Sequence, residues 1–185
     1  MVYLFYTTFS SQFDTFTIVW KETDSDILIQ RVFLSDPEHK SEVKALESFK
    51  KVKLASNSLI TILGEKIQRF LKGERVDFDL ELLNFDGCYE IQKRVLLAEH
   101  GIPRGWVSTY IRIAIKIGIP RGARVVGNAL ARNPFPIIIP CHRAIKTNGD
   151  LGGFQGGLVM KRKLLELEGI AFSEGGKVIT DKIYY

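Results

Sequence analysis

The sequence contains few of the residues that mark zinc-binding, disulfide-stabilised or membrane proteins. It has two cysteines, Cys88 and Cys141, with three histidines and no C-x-x-C motif, which argues against a structural zinc site and indicates reduced thiols. The most apolar run, residues 135–141, contains two prolines and cannot form a membrane helix. Residues 1–9 lack the basic segment of a signal peptide. We therefore expect a cytoplasmic protein that does not bind membranes.

Glycine and proline are also too scarce for a collagen-like or disordered chain. The 185 residues include 16 glycines and 6 prolines, while 45% are hydrophobic and 25% are charged, as in ordinary globular proteins. A chain of this length buries roughly 70% of the surface that its unfolded form exposes. It can therefore form one large domain or two small ones without disulfide bonds.

Acidic residues are missing from one long stretch. The net charge is +5, but residues 1–84 carry 11 Lys/Arg and 13 Asp/Glu, whereas residues 85–185 carry 15 and 8. Residues 100–149, the acid-free segment, have eight basic residues: Arg104, Arg112, Lys116, Arg121, Arg124, Arg132, Arg143 and Lys146. A segment with one sign of charge is typical of a surface that binds nucleic acid. The simpler interpretation is a solvated basic face.

The first half of the chain predicts a small antiparallel sheet. β-Branched and aromatic residues indicate strands over residues 15–20 and 27–33, joined as a hairpin by a turn at residues 23–26. Residues 2–6 add an edge strand.

A helix is expected to cover one face of this sheet. Apolar residues at helical spacing predict a helix over residues 58–71, capped by Asn57 or Ser58 and ending before Gly73. Its core-facing stripe is Leu59, Ile60, Leu63, Ile67, Phe70 and Leu71. The expected linkers are residues 50–53 and 73–85. We therefore predict an α/β protein with two domains, residues 1–84 and 85–185.

The second domain is predicted to be helical. The patterns indicate helices over residues 89–99, 110–117, 123–132 and 158–168. Their expected core residues are Val95, Leu96, Ala98, Leu158, Leu164, Leu165 and Leu167. Ser108 or Thr109 caps the second helix, and a tight turn separates it from the third. This spacing is typical of a helix-turn-helix. The pattern alone favours a plain helical hairpin, but the basic surroundings favour DNA binding.

Cys141 stands in a motif that favours a reactive thiolate. Three prolines hold residues 133–145 extended. His142 and Arg143 create a positive environment that lowers the pKa of a thiol from its usual value of about 8.5. Cys88 is expected to be a buried residue on an apolar helix face.

His142 by itself is either an active imidazole or a core histidine. Glu168, on the last helix, is the type of carboxylate that orients an imidazole, so Cys141, His142 and Glu168 make an activated-nucleophile set. A cysteine hydrolase could use the same set, but it would not need a basic helix pair. The combination favours a thiolate that acts on nucleic acid.

Several motifs of the second half closely resemble those of the O(6)-alkylguanine-DNA alkyltransferases. The matching residues are Tyr110 in Ser-Thr-Tyr, Arg124 in Gly-Ala-Arg-Val-Val-Gly-Asn, Asn133-Pro134 ahead of Pro140-Cys141-His142-Arg143, the glycine-rich residues 152–157, and Lys161 with Leu164, Leu165, Glu168 and Gly169. The resemblance covers roughly residues 85–170; residues 1–84 match only in the order strand, strand, helix.

The resemblance implies direct repair of alkylated guanine in double-stranded DNA. The alkyl group would move from the guanine O(6) to Cys141 in one displacement that consumes the protein and needs no cofactor. It also implies a ribonuclease-H-like first domain. Some relatives bind zinc in that domain, but no cysteine precedes Cys88 here, so we expect no metal site.

The resemblance also implies roles for single residues. Glu168 polarises His142, which acts through a water molecule to keep Cys141 deprotonated. Tyr110 gives a proton to the departing guanine. It also helps to rotate the nucleotide out of the DNA duplex, which is required because the modified base is buried in the duplex. Asn133 ties the helix pair to the cysteine segment, although by general rules it is only a helix cap before proline.

DNA contacts are expected from the second helix of the pair, in the minor groove, where small residues allow close approach. Arg124 resembles the family's arginine that fills the gap left by the rotated base, although contacts to phosphate are more common for arginine. The predicted DNA-binding residues are Tyr110, Ala123, Arg124, Asn128 and Arg132. The predicted substrate-pocket residues are Ala144, Phe154, Gln155 and Gly156.

Two pocket residues depart from the family pattern. Ala144 stands where valine is common, and Phe154 stands where tyrosine is frequent, which removes a hydroxyl that could bond to the base. The main alternative function is a non-catalytic helix-turn-helix regulator or lesion-sensing DNA-binding protein, but lesion sensors of this kind characteristically lack the thiol that Cys141 supplies. We expect the protein to act as a monomer.

Overall fold

The structure, a computed structural model, describes residues 3–23 and 26–185 and has a mixed α/β architecture. The helices are α1 (Ser41–Ser48), α2 (Ser58–Leu71), α3 (Glu90–His100), α4 (Tyr110–Lys116), α5 (Ala123–Ala131) and α6 (Gly157–Leu167). The strands are β1 (Tyr3–Ser11), β2 (Asp14–Glu22), β3 (Ile27–Leu34), β4 (Lys53–Leu54), β5 (Ser108–Thr109), β6 (Ala144–Ile145), β7 (Ala171–Phe172) and β8 (Val178–Ile179). A 3-10 turn, Cys141–Arg143, leads into β6.

The chain forms two compact units. The sheet unit consists of Met1–Gly87 together with Pro134–Ile138, and the helical unit consists of Cys88–Asn133 together with Ile139–Tyr185. A short piece of the second half of the sequence thus belongs to the sheet unit. This piece is held there by a hydrogen bond from the Val32 N–H to the Pro134 carbonyl (2.8 Å). The Phe135 ring also makes an edge-to-face contact with the Phe85 ring.

The sheet unit is built on a four-stranded sheet with the order β3-β2-β1-β4. The predicted hairpin is confirmed, since β2 and β3 pair antiparallel with one irregularity between Val19 and Trp20. Residues 24 and 25 of its turn, and residue 2 of the predicted edge strand, lie outside the described residues. β1 is not an edge strand, because β4 pairs with it in parallel. The sheet is therefore mixed, whereas an antiparallel sheet was predicted. A strand of two residues, such as β4, is too short to be predicted from a sequence pattern.

Helices cover both faces of this sheet. Ala45 of α1 packs with Tyr6, Val19 and Phe33, while the ring of Phe9 lies against Gly64 of α2. Tyr6 and Phe9 are three residues apart on β1 and point to opposite faces. A Cβ on Gly64 would come within 2.3 Å of the Phe9 ring, so this approach requires glycine.

The bounds predicted for α2 are confirmed, and the Asn57 side chain caps the helix by accepting a hydrogen bond from the Leu59 N–H. α1 was not predicted: it is eight residues long, only Ser41 and Ala45 are buried in it, and no side chain caps it. The two predicted linkers are both part of the sheet unit. One contains the start of β4, and residues in the other bond to β3 through Ile29.

The helical unit packs α3, α4 and α5 against one another. All four predicted helices of this half are present within one or two residues of the predicted bounds, which is the normal uncertainty of helix ends. Thr109 caps α4, as predicted, with its Oγ1 accepting from the Arg112 N–H at 3.3 Å. Gly118, at φ +78°, ends α4, because the N–H groups of Gly118 and Ile119 bond back to the carbonyls of Ile115 and Ala114.

Three of the predicted core leucines are exposed instead. Leu59 is rotated by about 100° from the buried Ile60, and Leu167 by about 200° from the buried Leu165, so only one residue of each pair can face the core. Leu158 is exposed in the first turn of α6. Cys88 precedes α3 and is half-buried, so its predicted position on a helix face is wrong.

In the part of the chain that the structure describes, no helix combines the length and the apolar character needed to cross a membrane.

Candidate active site

Two short strands bring the start of α4 to the cysteine turn. β5 ends at Thr109, immediately before Tyr110, and β6 begins at Ala144, immediately after the turn that Cys141 opens. The two strands pair in parallel, with Ser108 opposite Ala144. Residues that lie 31 positions apart in sequence, Tyr110 and Cys141, therefore line one cavity.

Cys141 lies at the N-terminal end of the 3-10 turn and is 5% exposed. Its backbone N–H donates to the Ile139 carbonyl at 2.8 Å. The Asn133 amide, fully buried, donates to the same carbonyl at 3.0 Å and also hydrogen-bonds the thiol. Asn133 thus connects the end of α5 with the cysteine turn, whereas the general helix-cap interpretation gave it only a local role.

The segment before Cys141 is not extended throughout. Ile137 has φ +76°, a left-handed conformation that is strained for a β-branched residue, and the chain turns there. The prolines therefore frame a turn rather than a straight segment.

The thiol pKa has the opposite direction from the one expected. Burial raises the pKa of Cys141 to about 12, and the hydrogen bond from Asn133 lowers it only in part. The prediction of a depressed pKa is wrong because Arg143 does not face the sulfur. Its guanidinium bonds to Glu168 and to the Ile102 carbonyl instead.

Glu168 is bound from two sides. The His142 Nε2 lies 2.9 Å from Glu168 Oε1, and Arg143 donates from Nε to Oε2 at 2.9 Å and from Nη2 to Oε1 at 2.8 Å. Burial raises the pKa of Glu168, but the interactions with His142 and Arg143 outweigh it and hold the pKa well below its ordinary value. Glu168 is therefore ionised. Although predicted as the last helical residue, it is the C-cap of α6, fixed by the turn at Gly169.

The state of His142 follows from this contact. An ionised carboxylate only accepts hydrogen bonds, so the Nε2 of His142 must carry the proton that it donates to Glu168. Burial lowers the pKa of His142, and the charge of Glu168 opposes that shift without reversing it. The ring is therefore neutral near pH 7, and Nδ1 is the nitrogen able to accept a proton.

The cavity beside Cys141 has a volume of about 390 Å³. It is lined by Tyr110, Gly127, Leu130, Ala131, Cys141, Lys146, Gly152, Gly153, Phe154 and Gln155. Of the four predicted pocket residues, Phe154 and Gln155 line it. Ala144 and Gly156 are not among the described residues of its wall; Ala144 is fully buried in β6.

The glycine-rich loop approaches Tyr110 closely. Gly152 has φ +70°, and a Cβ on it would lie 2.3 Å from the Tyr110 hydroxyl. Burial raises the pKa of Tyr110 to about 12, with further contributions from the charges of Glu99 and Cys141, so the phenol stays protonated.

Lys161 is a buried residue that the sequence pattern alone gave no role. Its Nζ donates to the carbonyls of Ala144 (2.7 Å), Leu151 (2.5 Å) and Gly153 (3.2 Å). It thereby links the strand that follows the cysteine turn to the glycine-rich loop. Burial lowers the pKa of Lys161 to about 8. A lysine on an amphipathic helix ordinarily faces water, so nothing in the sequence pattern indicated this position.

Four of the five predicted DNA-binding residues lie on α5 or at its C-cap, whereas the fifth, Tyr110, begins α4. Arg124, Asn128 and Arg132 are exposed at four-residue spacing and thus share a face, while Ala123 is half-buried. Gly127 and Ala131, between them on the same helix, reach the cavity wall. A Cβ on Gly127 would meet no atom of the described residues within 4 Å, so its space is open.

Part of the basic charge of the acid-free segment is used inside the helical unit. Arg143 pairs with Glu168, Arg104 donates to the Leu167 carbonyl, and Arg112 donates to the Tyr185 carbonyl. The other five cations are exposed, and one of them, Lys146, lies 3.9 Å from the Asp150 carboxylate. They are Lys116, Arg121, Arg124, Arg132 and Lys146. The sequence overestimated how many cations are free to bind a partner, because it does not show which arginines bond to Glu168 or to carbonyls. Among the described residues, no group of three or more His, Cys, Asp or Glu side chains is placed to hold a metal ion.

Comparisons with known proteins agree with one another. Residues 90–170 match the family model described as the DNA-binding domain of 6-O-methylguanine DNA methyltransferase. The chain is 47% identical over 129 residues to the methylated-DNA–protein-cysteine methyltransferase of Methanothermobacter thermautotrophicus. This match covers 68% of this chain and 72% of the relative.

Solved structures extend the likeness beyond the matched segment. The OGT of Mycobacterium tuberculosis, solved in complex with DNA, is 30% identical, with a TM-score of 0.70, over 89% of this chain and 92% of that one. The O6-methylguanine-DNA methyltransferase of Pyrococcus kodakaraensis is 25% identical, with a TM-score of 0.66, over 90% and 99%.

Proposed function

The chain belongs to the methylated-DNA–protein-cysteine methyltransferases, and we propose that Cys141 is the cysteine to which it transfers the alkyl group. The activity is direct DNA repair: an alkyl group, such as methyl, passes irreversibly from O(6)-alkylguanine in double-stranded DNA to the protein's own cysteine. The observation that carries the assignment is that Cys141, unlike Cys88, lines the cavity of the helical unit.

The attack requires removal of the thiol proton. Because burial raises the pKa of Cys141 to about 12, the thiol does not ionise by itself near neutral pH. We propose that the Nδ1 of His142 takes part in this deprotonation through a water molecule. The contact between His142 and the ionised Glu168 supports this role, since it fixes which nitrogen is basic.

The leaving guanine must be neutralised as the carbon–oxygen bond breaks. We propose that Tyr110 donates a proton to it. A phenol with a pKa of about 12 that lines the same cavity is protonated at every physiological pH and fits this role. Phe154 and Gln155 form the part of the pocket wall that would contact the base.

DNA is proposed to bind along α5. In this proposal α4 and α5 form a helix-turn-helix, α5 enters the minor groove, and the target nucleotide is rotated into the cavity. The exposed face that carries Arg124, Asn128 and Arg132, next to Gly127 on the cavity wall, supports this placement. Arg124, in the first turn of α5, is proposed to fill the vacated position in the base stack.

We also propose that the two halves of the chain have different functions. Residues 85–185 would hold the DNA-binding and acceptor functions, and residues 1–84 would form a ribonuclease-H-like domain. The parallel pairing of β4 with β1 beside an antiparallel hairpin supports that fold assignment. The monomeric state and the cytoplasmic location stay predictions from the sequence.

Mass spectrometry after reaction with a duplex that contains one O(6)-methylguanine tests the proposed function. We expect one added methyl group, located in the peptide that contains Cys141. An unmodified duplex and the Cys141→Ser variant serve as controls and should give no added mass. Methylation of Cys88 would contradict the assignment, and binding without added mass would favour the lesion-sensing alternative.

A further inference from the structure

Gln155 makes a contact that its predicted role as a pocket residue does not require. Its side-chain Nε2 donates a hydrogen bond to the backbone carbonyl of Asn133 at 2.5 Å. The two residues are 22 positions apart, and Asn133 directly follows the C-cap of α5. The Gln155 side chain therefore connects the glycine-rich loop, which lines the cavity, to the residue that bonds to the cysteine turn.

The backbone around Gln155 is held by hydrogen bonds on both sides. Before it, the Gly153 carbonyl accepts a hydrogen bond from the Lys161 Nζ at 3.2 Å. After it, the Gly157 N–H donates to the Phe154 carbonyl at 3.1 Å, and this turn leads into α6. A side chain on a backbone that is already ordered loses less entropy when it forms a hydrogen bond. Gln155 is thus able to fix the position of the carbonyl that it binds.

Asn133 connects this contact to the nucleophile. Its side-chain amide donates to the Ile139 carbonyl at 3.0 Å, and the Cys141 backbone N–H donates to the same carbonyl at 2.8 Å. The Asn133 side chain is fully buried. Three consecutive hydrogen bonds, with distances between 2.5 and 3.0 Å, therefore join the Gln155 amide to the Cys141 backbone.

The segment between Asn133 and Cys141 contains a strained residue that needs such support. Ile137 has φ +76°, a left-handed conformation that is unfavourable for a β-branched side chain. A strained backbone of this kind persists only where the surrounding contacts hold it. The Asn133 side chain closes the segment by its bond to Ile139, so a shift of Asn133 would let the turn relax and would move Cys141.

The residue next to Gln155 makes a second contact with the reacting groups. The ring of Phe154 lies edge-on to the ring of His142, with centroids 6.2 Å apart and an angle of 82° between the ring planes. Two adjacent residues of the glycine-rich loop thus contact Asn133 and His142, which both belong to the machinery around Cys141. The loop therefore holds reacting groups in place in addition to lining the pocket.

We propose that Gln155 is a positioning residue that holds Asn133, and through it the turn that begins with Cys141, in the geometry from which the sulfur attacks. The inference rests on the proposed function, in which Cys141 is the alkyl acceptor. It gives Gln155 a role that does not depend on contact with the guanine base. The hydrogen bond from Asn133 to the thiol, which lowers the thiol pKa, weakens when this support is lost.

The reaction of Cys141 with iodoacetamide in the absence of DNA tests the proposal, because this small neutral reagent needs no contact with a base. The thiolate sulfur displaces iodide, and the variant Gln155→Leu removes the amide donor without adding charge. At about pH 8 we expect Cys141 of the variant to react about tenfold more slowly, because Asn133 stabilises its thiolate less well. Peptide mapping by mass spectrometry gives the rate, with Cys88 in the same sample as the internal reference.

Methyl transfer from the O(6)-methylguanine duplex is the second measurement on the same variant. We expect Gln155→Leu to be slower by about tenfold or more even when the duplex is saturating, since a misplaced sulfur attacks less readily. Gln68→Leu is the matched control, because Gln68 of α2 also donates its amide to a carbonyl, that of Ser10 at 2.8 Å. This bond lies in the sheet unit, so both rates of the control should equal those of the wild type.

Two other roles of Gln155 predict different results. If the side chain only contacts the base, Gln155→Leu slows methyl transfer but leaves the iodoacetamide rate of Cys141 unchanged. If the side chain only keeps the loop closed, its loss exposes Cys141, and iodoacetamide reacts faster. Either result overturns the proposal.

Failure of the variant to fold and failure of the proposed function are distinguished from these results. If Gln155→Leu does not fold, Gln155→Met, an unbranched side chain without a donor, replaces it with the same expectations. If the wild-type protein adds no methyl group to Cys141 from the duplex, the proposed function fails. The iodoacetamide comparison then still decides whether Gln155 positions the thiol.

Discussion

At the residue scale, the electrostatics of the site depend on which group the Arg143 guanidinium binds. Glu168 takes three hydrogen bonds from Arg143 and one from His142, and both carboxylate oxygens are engaged. This arrangement keeps Glu168 ionised and the neutral His142 ring in one tautomer. It also withdraws the positive charge from Cys141, so the thiol must lose its proton to a specific acceptor rather than to solvent.

The Glu168→Gln variant should lose stability in a pH-dependent way. The pKa of Glu168 in the folded protein lies below its unfolded value of about 4.3, so the stability it contributes is present above that pH and lost as the pH falls. At pH 7 we expect the free energy of unfolding of the variant to be lower by about 3 kcal/mol or more, because Arg143 stays buried without its charged partner. Urea denaturation measures this difference.

Below about pH 4 the difference between the two proteins should shrink. Glu166→Gln, an exposed residue on the same helix paired with Arg162, is the control and should change the free energy of unfolding by no more than about 0.5 kcal/mol. Equal stability of Glu168→Gln and the wild type at pH 7 would show that the ion pair does not stabilise the fold.

At the element scale, the glycine-rich loop and α5 shape the cavity from two sides. The loop is tied to β6 through Lys161, which binds carbonyls on both. The small residues Gly127 and Ala131 of α5 line the cavity, and its polar residues are exposed to solvent. The cavity thus depends on backbone that approaches closely, and side chains added there should disturb it.

Gly152→Ala tests this dependence on the loop. Its φ of +70° is unfavourable for alanine, and the new Cβ would collide with the Tyr110 hydroxyl at 2.3 Å. We expect a loss of about 1–3 kcal/mol, measured by thermal unfolding. Gly153→Ala is a matched control, since its Cβ meets no atom of the described residues within 4 Å. Similar melting temperatures for the two variants would contradict the steric argument.

Arg124→Ala tests the proposed role of α5. Loss of a contact to DNA should weaken binding and reduce the slope of log affinity against log salt by about 1. If Arg124 fills the base stack, the transfer rate should fall even when DNA is saturating, whereas loss of a phosphate contact changes affinity alone. Arg162→Ala, exposed on α6, is the control for removal of one positive charge. Unchanged affinity and rate in Arg124→Ala would remove α5 from the interface.

At the scale of the whole molecule, charge is distributed unevenly between the two halves of the chain. The net charge of +5 conceals an acidic first half and a basic second half. Within the acid-free segment, three of the eight cations bind Glu168 or backbone carbonyls, and the other five are exposed without such a bond. One of the five, Lys146, lies 3.9 Å from Asp150.

The salt dependence of DNA binding measures this remaining charge. If all five exposed cations contact phosphates, the slope of log affinity against log salt should reach about −4.5, against about −7 for eight contacts. Fluorescence anisotropy with an unmodified duplex at several salt concentrations gives the value. A slope steeper than about −5 would mean that further cations, inside or outside the acid-free segment, also contact DNA.

The sequence by itself determined the local structure and the chemical type of the site. Apolar spacing predicted α2 to the residue and the helices of the second half nearly so, because side-chain periodicity is a short-range property. The Pro-Cys-His-Arg motif and its neighbours predicted the family. α1 was not predicted because only Ser41 and Ala45 of it are buried and no side chain caps it, and the two-residue β4 is too short to show a period.

Only the tertiary structure decided the electrostatics of the active site. Arg143 and Glu168 lie 25 residues apart, and no local pattern shows that the guanidinium turns to this carboxylate rather than to Cys141. The same holds for Glu99 and Lys161, two charged residues on amphipathic helices that packing encloses completely. Burial and ion pairing arise from contacts between distant segments, and these contacts reversed the expected direction of the thiol pKa.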